Sequence, residues 1–380
     1  MNILMGSILN FDEDINGVVV STRELMDELN SSDHQVNLIT PFDQKITTVS
    51  SWFLKVSGFL FKRVGWQLLF MLNLWIKAWI IARKTWSIRH EIDVFHAHDP
   101  LAALAFMMIQ GNGKKIFFQA HFNGSPWMEF VEAGYVPKEG WAQKILKAAF
   151  SRLMRSNHVQ ILAVSEHSKN QIHNLLGTLV NEPVVFYPGI PTTHFVSDES
   201  ETEQHILNVG TLEERKDQLA AVNLIASLRK LGLKPQLHFV GPENSAYKQR
   251  ILDRVGEYGL HDQVHFHGQL NAEETREMIG RADLYLHTAV EESFGRVLVE
   301  AISSATPVAA FAYPAVHEIL DDDLILERTA DSNSHANLLK NILTDPILRR
   351  ALQETQYASY LNRFTPHKMI QDYRQIISQS

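Results

Sequence analysis

Residues 205–232, HILNVGTLEERKDQLAAVNLIASLRKLG, contain the pattern that decides the fold. A short apolar run ends at Gly210, a polar loop follows, and a helical pattern of apolar positions then closes on Gly232. Other short apolar runs alternate with helical patterns along almost the whole chain. Because strands that alternate with helices pair in parallel, this alternation predicts parallel sheets with helices on both faces.

Two groups of apolar runs predict the strands of two sheets. The first group is NILMGSI, QVNLIT, DVFHAH, KIFFQAHF, VQILAVS and PVVFYPG, and the second is HILNVG, QLHFVG, QVHFHG, LYLHTA and TPVAAFA. The polar stretch TTHFVSDESETEQ, residues 192–204, separates them. A chain of 380 residues can bury two cores, so we expect doubly wound domains at 1–190 and 204–364 with a linker at 191–203. Ligands of such sheets bind beyond the carboxyl ends of the strands, which predicts a site in a cleft between the domains.

Composition excludes several classes of function. A net charge of -8 argues against a general nucleic-acid binder, and the absence of cysteine excludes disulfides and thiolate metal sites. His96 and His98 would share one face of a strand, but no third ligand has a convincing spacing, so no metal site is expected. The opening MNILMGSILNF lacks a basic region before its apolar residues. It predicts a first strand rather than a signal peptide, and a cytoplasmic protein.

An acidic residue, Glu300, interrupts an apolar run in EESFGRVLVEAISSATPVAA, residues 291–310. If a helix begins near Gly295, Glu300 lies one to two turns inside it and Glu292 lies in the preceding loop. A buried carboxylate needs donors. Arg296, four residues earlier on the same face, could form an ion pair with it, or a ribose could present two adjacent hydroxyls to it. Backbone N–H groups from Ser293 onward, at the helix N-terminus, could bind phosphate.

The same stretch resembles the E-x7-E signature of the retaining glycosyltransferases of family 4, which have the GT-B fold. Glu292 and Glu300 occupy its two acidic positions. Other segments are similar to the family's remaining elements, in the same order: MNILMGSILNFDEDINGVVVST, DVFHAHDPLAALA, FFQAHFNG, ILAVSEHSKNQI, VVFYPGIPTTHF, HILNVGTLEERKDQLAAV, LHFVGPENSAYKQRI and VHFHGQLNAEETREMIGRADLYLHTA. The resemblance covers nearly the whole chain. It implies two Rossmann-like domains facing a cleft, with a helix at 365–380 that crosses back to the first domain.

The resemblance implies an enzyme that transfers a sugar, with retention of anomeric configuration, from a nucleotide diphosphate donor. A UDP- or GDP-sugar is the expected co-substrate, and neither a metal nor another cofactor is required. The acceptor would be a glycan or a lipid-linked glycan, as in the synthesis of cell-envelope polysaccharides, and the protein a monomer or weak dimer. Two other functions stay open: an inactive GT-B module that binds a nucleotide sugar or glycan, and a sugar-nucleotide epimerase.

The catalytic candidates are also implied by the resemblance. Glu300 would hold the donor ribose, and Glu292 would contact sugar hydroxyls near the reacting face or act as a nucleophile. Arg215 and Lys216 would neutralise the diphosphate as it leaves. His121 would lie near C6 of the sugar and the acceptor. Glu292, His121, Arg215 and Lys216 are therefore the expected catalytic residues.

Backbone groups complete the expected site. Gly17 and Gly210 would let the main chain approach the donor phosphates closely. Amides of the loop before the helix would hold the distal phosphate or the sugar, at Ser293, Phe294 and Gly295. The nucleobase would meet two loops of the second domain, at Gly241, Pro242, His265 and His267.

Some positions depart from the family pattern. The Arg that often follows the glycine of this loop is Thr211 here, and the usual Pro-Ser before the first acidic residue is His287-Thr288. The usual Gly pair after the helix is Pro314-Ala315, and the usual Gly at the helix end is Ala305. These differences affect the expected shape of the sugar pocket more than the nucleotide site.

Residues 52–89 have an unusual composition. From 51 to 90 there are seven basic residues, no acidic ones, and five of the seven tryptophans of the chain. Polar residues within GWQLLFMLNLWIKAWII argue against a membrane span. Two interpretations remain: a helix of the core, or a helix that lies on an anionic membrane surface, where tryptophan and cations are enriched. The second predicts a peripheral protein at the inner face of the cell membrane.

Overall fold

A computed structural model of the protein describes residues 1–12, 17–32, 34–42, 66–110, 114–177, 181–192, 203–320, 324–329 and 332–379. The chain divides into two compact units. The first comprises Met1–Gly189 together with Met369–Ser380, and the second comprises Ile190–Lys368. Most of the linker expected at 191–203 lies outside the described residues.

The first unit is built on a six-stranded parallel sheet with the order β2-β1-β3-β4-β5-β6. Its strands are β1 (Asn2–Gly6), β2 (Gln35–Ile39), β3 (Val94–Ala97), β4 (Ile116–Ala120), β5 (Val159–Ala163) and β6 (Val184–Val185). Its helices are α1 (Gly17–Ser31), α2 (Trp66–Trp86), α3 (Pro100–Ile109), α4 (Met128–Glu132), α5 (Trp141–Met154) and α6 (Glu166–Leu176). All residues of β3, β4 and β5 are buried, because helices cover both faces of the sheet.

The second unit repeats this arrangement, with the sheet order β12-β11-β10-β7-β8-β9, all parallel. Its strands are β7 (His205–Val209), β8 (Gln236–Val240), β9 (Val264–Phe266), β10 (Leu284–His287), β11 (Val308–Phe311) and β12 (Ile325–Leu326). Its helices are α7 (Gln218–Lys230), α8 (Ser245–Tyr258), α9 (Ala272–Arg281), α10 (Arg296–Ser303), α11 (Ser332–Thr344) and α12 (Pro346–Arg363). Helices α7, α8 and α11 bury the apolar side of the sheet in one continuous core.

The last helix, α13 (Pro366–Ser378), returns the chain to the first unit. Met369, Ile370 and Tyr373 pack with α1 against one face of the first sheet. Helices α2, α3 and α5 cover the opposite face. The sheet is therefore a buried central layer between two helical layers.

Local sequence explains where helices begin. Asp99 precedes α3 and accepts hydrogen bonds from the Leu101 and Ala102 amides at 3.0 and 2.9 Å, with Pro100 at the first helical position. Asn271 and Glu274 form a reciprocal capping box at the start of α9. These caps satisfy N–H groups that have no partner inside the helix.

The predicted fold class is confirmed: both sheets are parallel and helices cover them. Each of the apolar runs contains an observed strand, although every one of these strands is one to five residues shorter than its run. The run PVVFYPG forms only a two-residue edge strand, β6. Strand β12 was not predicted, because two residues, Ile325 and Leu326, are too short to give a pattern.

Residues 52–65 of the tryptophan-rich stretch lie outside the described residues. Helix α2 occupies most of the remainder. Its inner face, with Leu74, Ala78 and Ile81, is buried in the first core. Its outer face is also largely apolar and carries exposed side chains at helical spacing: Leu68, Leu72, Trp75, Trp79 and Trp86. Among the described residues, no helix has both the length and the apolar character needed to cross a bilayer.

Candidate functional site

Glycine allows the strand ends of the second sheet to meet closely. Gly210 follows β7 and Gly241 follows β8, with φ of 155° and 143°. The amide of Gly241 donates to the Gly268 carbonyl at 2.8 Å, and a Cβ at position 241 would overlap the Gly210 carbonyl. Only glycine fits here, because the φ value and the neighbouring backbone both exclude a side chain. The carboxyl ends of β7, β8 and β9 thus present bare backbone at one edge.

The turn that carries the two predicted cations lies at the same edge. It is a single 3-10 turn, Glu214–Lys216. The Arg215 carbonyl accepts from the Val290 amide at 2.8 Å, and the Lys216 carbonyl accepts from the Thr288 hydroxyl at 2.6 Å. The turn is therefore fixed to the loop after β10, which leads into Glu292.

Lys216 and Glu292 form an ion pair between the Lys216 Nζ and Glu292 Oε1 atoms. Both side chains are largely buried, with 16% and 11% of their surface exposed. Burial acts to raise the pKa of Glu292, but His287, Lys216 and Arg215 outweigh it and hold that pKa below its usual value. Glu292 is therefore a buried carboxylate that stays ionised.

Arg215 makes its hydrogen bonds with residues other than this pair. Its guanidinium donates to the Glu213 carboxylate at 2.8 Å and to the Glu291 carbonyl at 3.2 Å, and it remains substantially exposed. It lines a pocket of about 400 Å³. The other lining residues of this pocket are Glu213, Glu214, Asn244, Ala246, Tyr247 and Arg250. The two neighbouring cations thus face different surroundings.

Helix α10 begins where the sequence predicted. Gly295 precedes it with φ of 89° and, as a glycine, has no side chain with which to cap the helix. A Cβ at position 295 would overlap the Tyr313 hydroxyl and lie 3.6 Å from Glu292 Oε2. Phe294 packs edge-on against Phe364, with ring centroids 5.7 Å apart. Glycine is required at 295 by its conformation and by the approach of Tyr313.

Glu300 forms the intrahelical pair that the sequence offered as one alternative. Arg296 Nε lies 2.8 Å from Glu300 Oε1. Glu300 is less buried than expected, because its side chain is 17% exposed, whereas that of Glu292 is 11% exposed. The helix turns Glu300 toward a boundary position because residues 299, 301 and 302 take the fully buried face.

The two histidines expected near the nucleobase are part of a chain of imidazoles along the face of β7, β8 and β9. His267 contacts His238 at 3.0 Å, and His238 contacts His205 at 3.0 Å. His265 bonds to Gln236 at 2.7 Å and stacks on His238. Burial lowers the pKa of His238 to about 4. The backbone of Pro242 accepts from the Leu212 amide, which ties the loops after β7 and β8 together.

The remaining predicted residues belong to the first unit. His121 follows β4, and its Nε2 lies 3.4 Å from His98 Nδ1. His96 bonds to the Tyr373 hydroxyl of α13 at 2.8 Å, and burial lowers its pKa to about 3. Gly17 is the first residue of α1, and the loop before it, 13–16, lies outside the described residues.

Sequence reasoning missed three residues that contact the site in the second unit. His287 Nε2 lies 3.6 Å from Glu292 Oε1, and its Nδ1 lies 3.1 Å from the Tyr285 hydroxyl. Tyr313, two residues after β11, approaches Gly295. The available signal was the departure His287-Thr288, together with a tyrosine two residues earlier on the same strand face.

Comparison with known proteins identifies the family. A model of glycosyltransferase family 4 matches residues 15–194, and a model of the glycosyl transferases group 1 matches residues 189–359. The chain is 26% identical over 278 residues to the phosphatidylinositol N-acetylglucosaminyltransferase gpi3 subunit of Schizosaccharomyces pombe, covering 70% of this chain but 57% of that protein. It is 21% identical over 302 residues to the O-antigen chain mannosyltransferase RfbU of Salmonella typhimurium, covering 78% and 82% of the two chains.

The fold agrees with the family match. The crystal structure of Anabaena HepE in complex with UDP-glucose aligns over 100% of both chains with a TM-score of 0.70, at 15% identity. The two family models together account for nearly the whole sequence and include both sheets. The chain therefore belongs to the family 4, or group 1, glycosyltransferases and has their GT-B fold.

Proposed function

We propose that this glycosyltransferase moves a hexose from a nucleoside diphosphate donor to a glycan or lipid-linked acceptor, with retention of configuration and without a metal. The observation that carries the proposal is the buried pair of Lys216 and Glu292 beside the N-terminus of α10. A buried charge pair is costly to maintain. The presence of this pair is explained if Lys216 and Glu292 bind a ligand that carries both charge and hydroxyl groups.

The chemistry needs negative charge to be neutralised on the leaving diphosphate. Lys216 supplies a point charge and Arg215 a forked group. The N-terminus of α10 adds the partial positive charge of aligned peptide groups. Donors that are already fixed in place stabilise a developing charge most effectively. These groups would perform the neutralisation that a bound cation performs in other transferases.

Retention requires the acceptor to arrive on the face from which the diphosphate leaves, or two successive inversions. Glu292 is ionised and fixed by Lys216, which suits a contact to sugar hydroxyls near the anomeric carbon. The same carboxylate could act as the nucleophile of a double displacement. We favour front-face attack, in which the leaving phosphate oxygen takes the proton of the acceptor.

The relatives support a sugar nucleotide and a lipid or glycan acceptor. The crystal structure of HepE contains bound UDP-glucose. The gpi3 subunit and RfbU are named for transfer to phosphatidylinositol and to O-antigen chains. A UDP- or GDP-sugar as donor, and a role in envelope polysaccharide synthesis, follow as proposals by analogy.

The outer face of α2 supports peripheral binding to an anionic membrane. Trp79 and Trp86 are each 55% exposed, and Trp75 is exposed on the same face. The Arg83 guanidinium lies 5.6 Å from the Trp79 ring centroid, and the Arg89 guanidinium lies 3.8 Å from the Trp86 ring centroid. Indole rings paired with cations suit the boundary between acyl chains and anionic headgroups.

A donor panel tests the proposed activity. Thermal shift with UDP-, GDP-, ADP- and TDP-sugars identifies the donor, because a ligand that binds only the folded state raises the melting temperature. Release of the nucleoside diphosphate is then measured, and the anomeric configuration of the product is read by proton NMR. Release with a retained anomer is expected. Binding without release would favour an inactive module, and an altered sugar without transfer would favour an epimerase.

A further inference from the structure

Three aromatic side chains surround the Glu292 carboxylate in the second unit. Tyr285 and His287 come from β10, and Tyr313 follows β11. All three are almost completely buried. Within the described part of the chain, His287 Nε2 and the Tyr313 hydroxyl have no hydrogen-bond partner. His287 Nε2 lies 3.6 Å from Glu292 Oε1. Burial raises the pKa of Tyr313, and the charge of Glu292 raises it further. Buried polar atoms are rarely left unpaired in native proteins, so this arrangement calls for a function.

The geometry fixes the protonation of His287. Burial lowers its pKa to about 4 in spite of Glu292, so the ring is neutral near pH 7. A neutral imidazole carries one proton. The Tyr285 hydroxyl lies 3.1 Å from Nδ1 and can donate to it. If the proton were on Nδ1 instead, the Nε2 lone pair would point at the Glu292 carboxylate, 3.6 Å away, and the two groups would repel each other. The proton therefore belongs on Nε2.

We propose that His287 is a positioning residue, which directs its Nε2–H at Oε1 of Glu292 and, together with Lys216, fixes the orientation of that carboxylate. Oε2 is then turned toward Gly295, at the start of α10. This inference rests on the proposed role of Glu292 in contacting the donor sugar. The distance of 3.6 Å is long for a hydrogen bond, but hydrogen bonds of unliganded sites often shorten when the ligand binds.

The neighbouring residue supports this assignment. Thr288 donates to the Lys216 carbonyl at 2.6 Å and accepts from Asn208 at 3.1 Å. The pair His287-Thr288 therefore acts on both members of the ion pair, His287 on the carboxylate and Thr288 on the backbone of the lysine. This gives a physical reason for the departure from the usual Pro-Ser at these positions.

The test compares His287→Phe, His287→Gln and Tyr285→Phe. Phenylalanine removes both ring nitrogens, whereas glutamine can place an amide N–H where Nε2 was. We expect H287F to lower kcat for release of nucleoside diphosphate roughly 10- to 100-fold, with the Kd of the free nucleoside diphosphate unchanged within about twofold. H287Q should recover most of the lost kcat, and Y285F should lower kcat several-fold. A merely structural role predicts equal losses in H287F and H287Q, which would overturn the proposal, as would full activity of H287F.

A second readout does not depend on activity. In protein labelled with ¹⁵N-histidine, the His287 resonances are those absent from the H287Q spectrum, and their shifts report the tautomer. The Nε2–H form is expected in the wild type, and the Nδ1–H form would overturn the proposal. If the wild type releases no nucleoside diphosphate from any donor, the proposed function fails, while the tautomer still decides whether Tyr285 and Glu292 orient this ring. His261→Gln, at an exposed position, is the matched control.

Discussion

Arg296 and Glu300 lie one turn apart on α10, and the Arg296 Nε donates to Glu300 Oε1 at 2.8 Å. The pair satisfies one carboxylate oxygen and leaves part of the side chain exposed. With 13% and 17% of the two side chains exposed, this pair is about as buried as that of Lys216 and Glu292. Because Arg296 contacts Oε1 of Glu300, the pair leaves the proposed ribose contact open through the other carboxylate oxygen, Oε2.

Two variants separate these roles of Glu300. Glu300→Gln and Arg296→Gln both break the ion pair, but only the first removes the carboxylate proposed to hold the ribose. We expect E300Q to raise the Kd of the nucleoside diphosphate about tenfold, since a hydrogen bond to a charged group contributes roughly 1.5–3 kcal/mol. Calorimetry with the nucleoside diphosphate and with inorganic pyrophosphate, which lacks a ribose, measures this. Equal nucleotide affinity in E300Q and the wild type would refute the ribose contact.

The pair of Lys216 and Glu292 predicts a stability effect that a second substitution reverses. Lys216→Met leaves Glu292 buried without its cation, and breaking a buried pair costs about 3 kcal/mol. Adding Glu292→Gln removes the stranded charge, so the double variant should regain most of the stability. Activity should fall by roughly 10² or more in both proteins. Urea unfolding and donor turnover test this, and a double variant no more stable than K216M would contradict a direct pairing.

Two buried histidines predict loss of stability in acid. Burial lowers the pKa of His96 to about 3 and that of His287 to about 4, whereas the pKa of an ordinary histidine is 6.5. Below pH 6.5 the unfolded chain therefore binds protons that the folded chain does not, and stability falls as pH falls. Between pH 7.5 and pH 5 each histidine should remove about 2 kcal/mol.

Urea midpoints at the two pH values measure this effect. His96→Asn and His287→Gln should each reduce the difference between the midpoints for the unit that contains the substitution. Substitution of the exposed His261 should leave the difference as in the wild type. Equal pH dependence in all four proteins would show that these histidines do not take up protons on unfolding.

Local patterns predicted the parts of the structure that depend on neighbours in sequence. The strand runs, the start of α10 at Gly295 and the i, i+4 pair of Arg296 and Glu300 are all of this kind. The contact of Lys216 with Glu292 joins residues 76 positions apart, and only the family resemblance brought them together. His287 and Tyr313 were missed because strand neighbours in space are set by sheet order, which apolar runs do not encode.

The outer face of α2 shows a different limit. Asn73, Lys77 and Lys84 lie at spacings that keep them on one helical face, but all three are only half-buried. The most exposed face is the one that carries tryptophan. Both sides of this helix are apolar, so its sequence pattern could not distinguish the side that packs on the core from the side that faces outward.

Two glycines with positive φ, Gly232 and Gly241, allow the stability cost of an added Cβ to be compared in open and in crowded surroundings. At Gly232 a Cβ would meet no atom within 4 Å, whereas at Gly241 it would overlap the Gly210 carbonyl. Gly232→Ala should therefore cost only the backbone strain, about 1–2 kcal/mol. Gly241→Ala should cost roughly 3 kcal/mol or more, because the strand ends must also separate. Thermal unfolding compares them, and equal losses would contradict the close approach of these loops.

The exposed tryptophans predict salt-sensitive binding to anionic vesicles. The wild type should sediment with vesicles of phosphatidylglycerol at low salt, less so at high salt, and not with phosphatidylcholine alone, since screening weakens the attraction of cations to headgroups. Trp75→Ser with Trp79→Ser should reduce the bound fraction several-fold without loss of folding, because both side chains are already exposed. Ile347→Ser, at an 83% exposed position of the second unit, is the matched control.

Charge and apolar contact can be separated on the same helix. Arg83→Glu keeps the tryptophans but places an acid beside Trp79, so it should abolish the preference for anionic lipid while leaving any apolar association intact. Gel filtration of the wild type and the double tryptophan variant examines the competing use of this face, as a contact between two copies of the chain. The membrane proposal would be contradicted if the wild type dimerises through Trp75 and Trp79 and fails to sediment with anionic vesicles at low salt. The partner of α2 would then be a second copy of the chain.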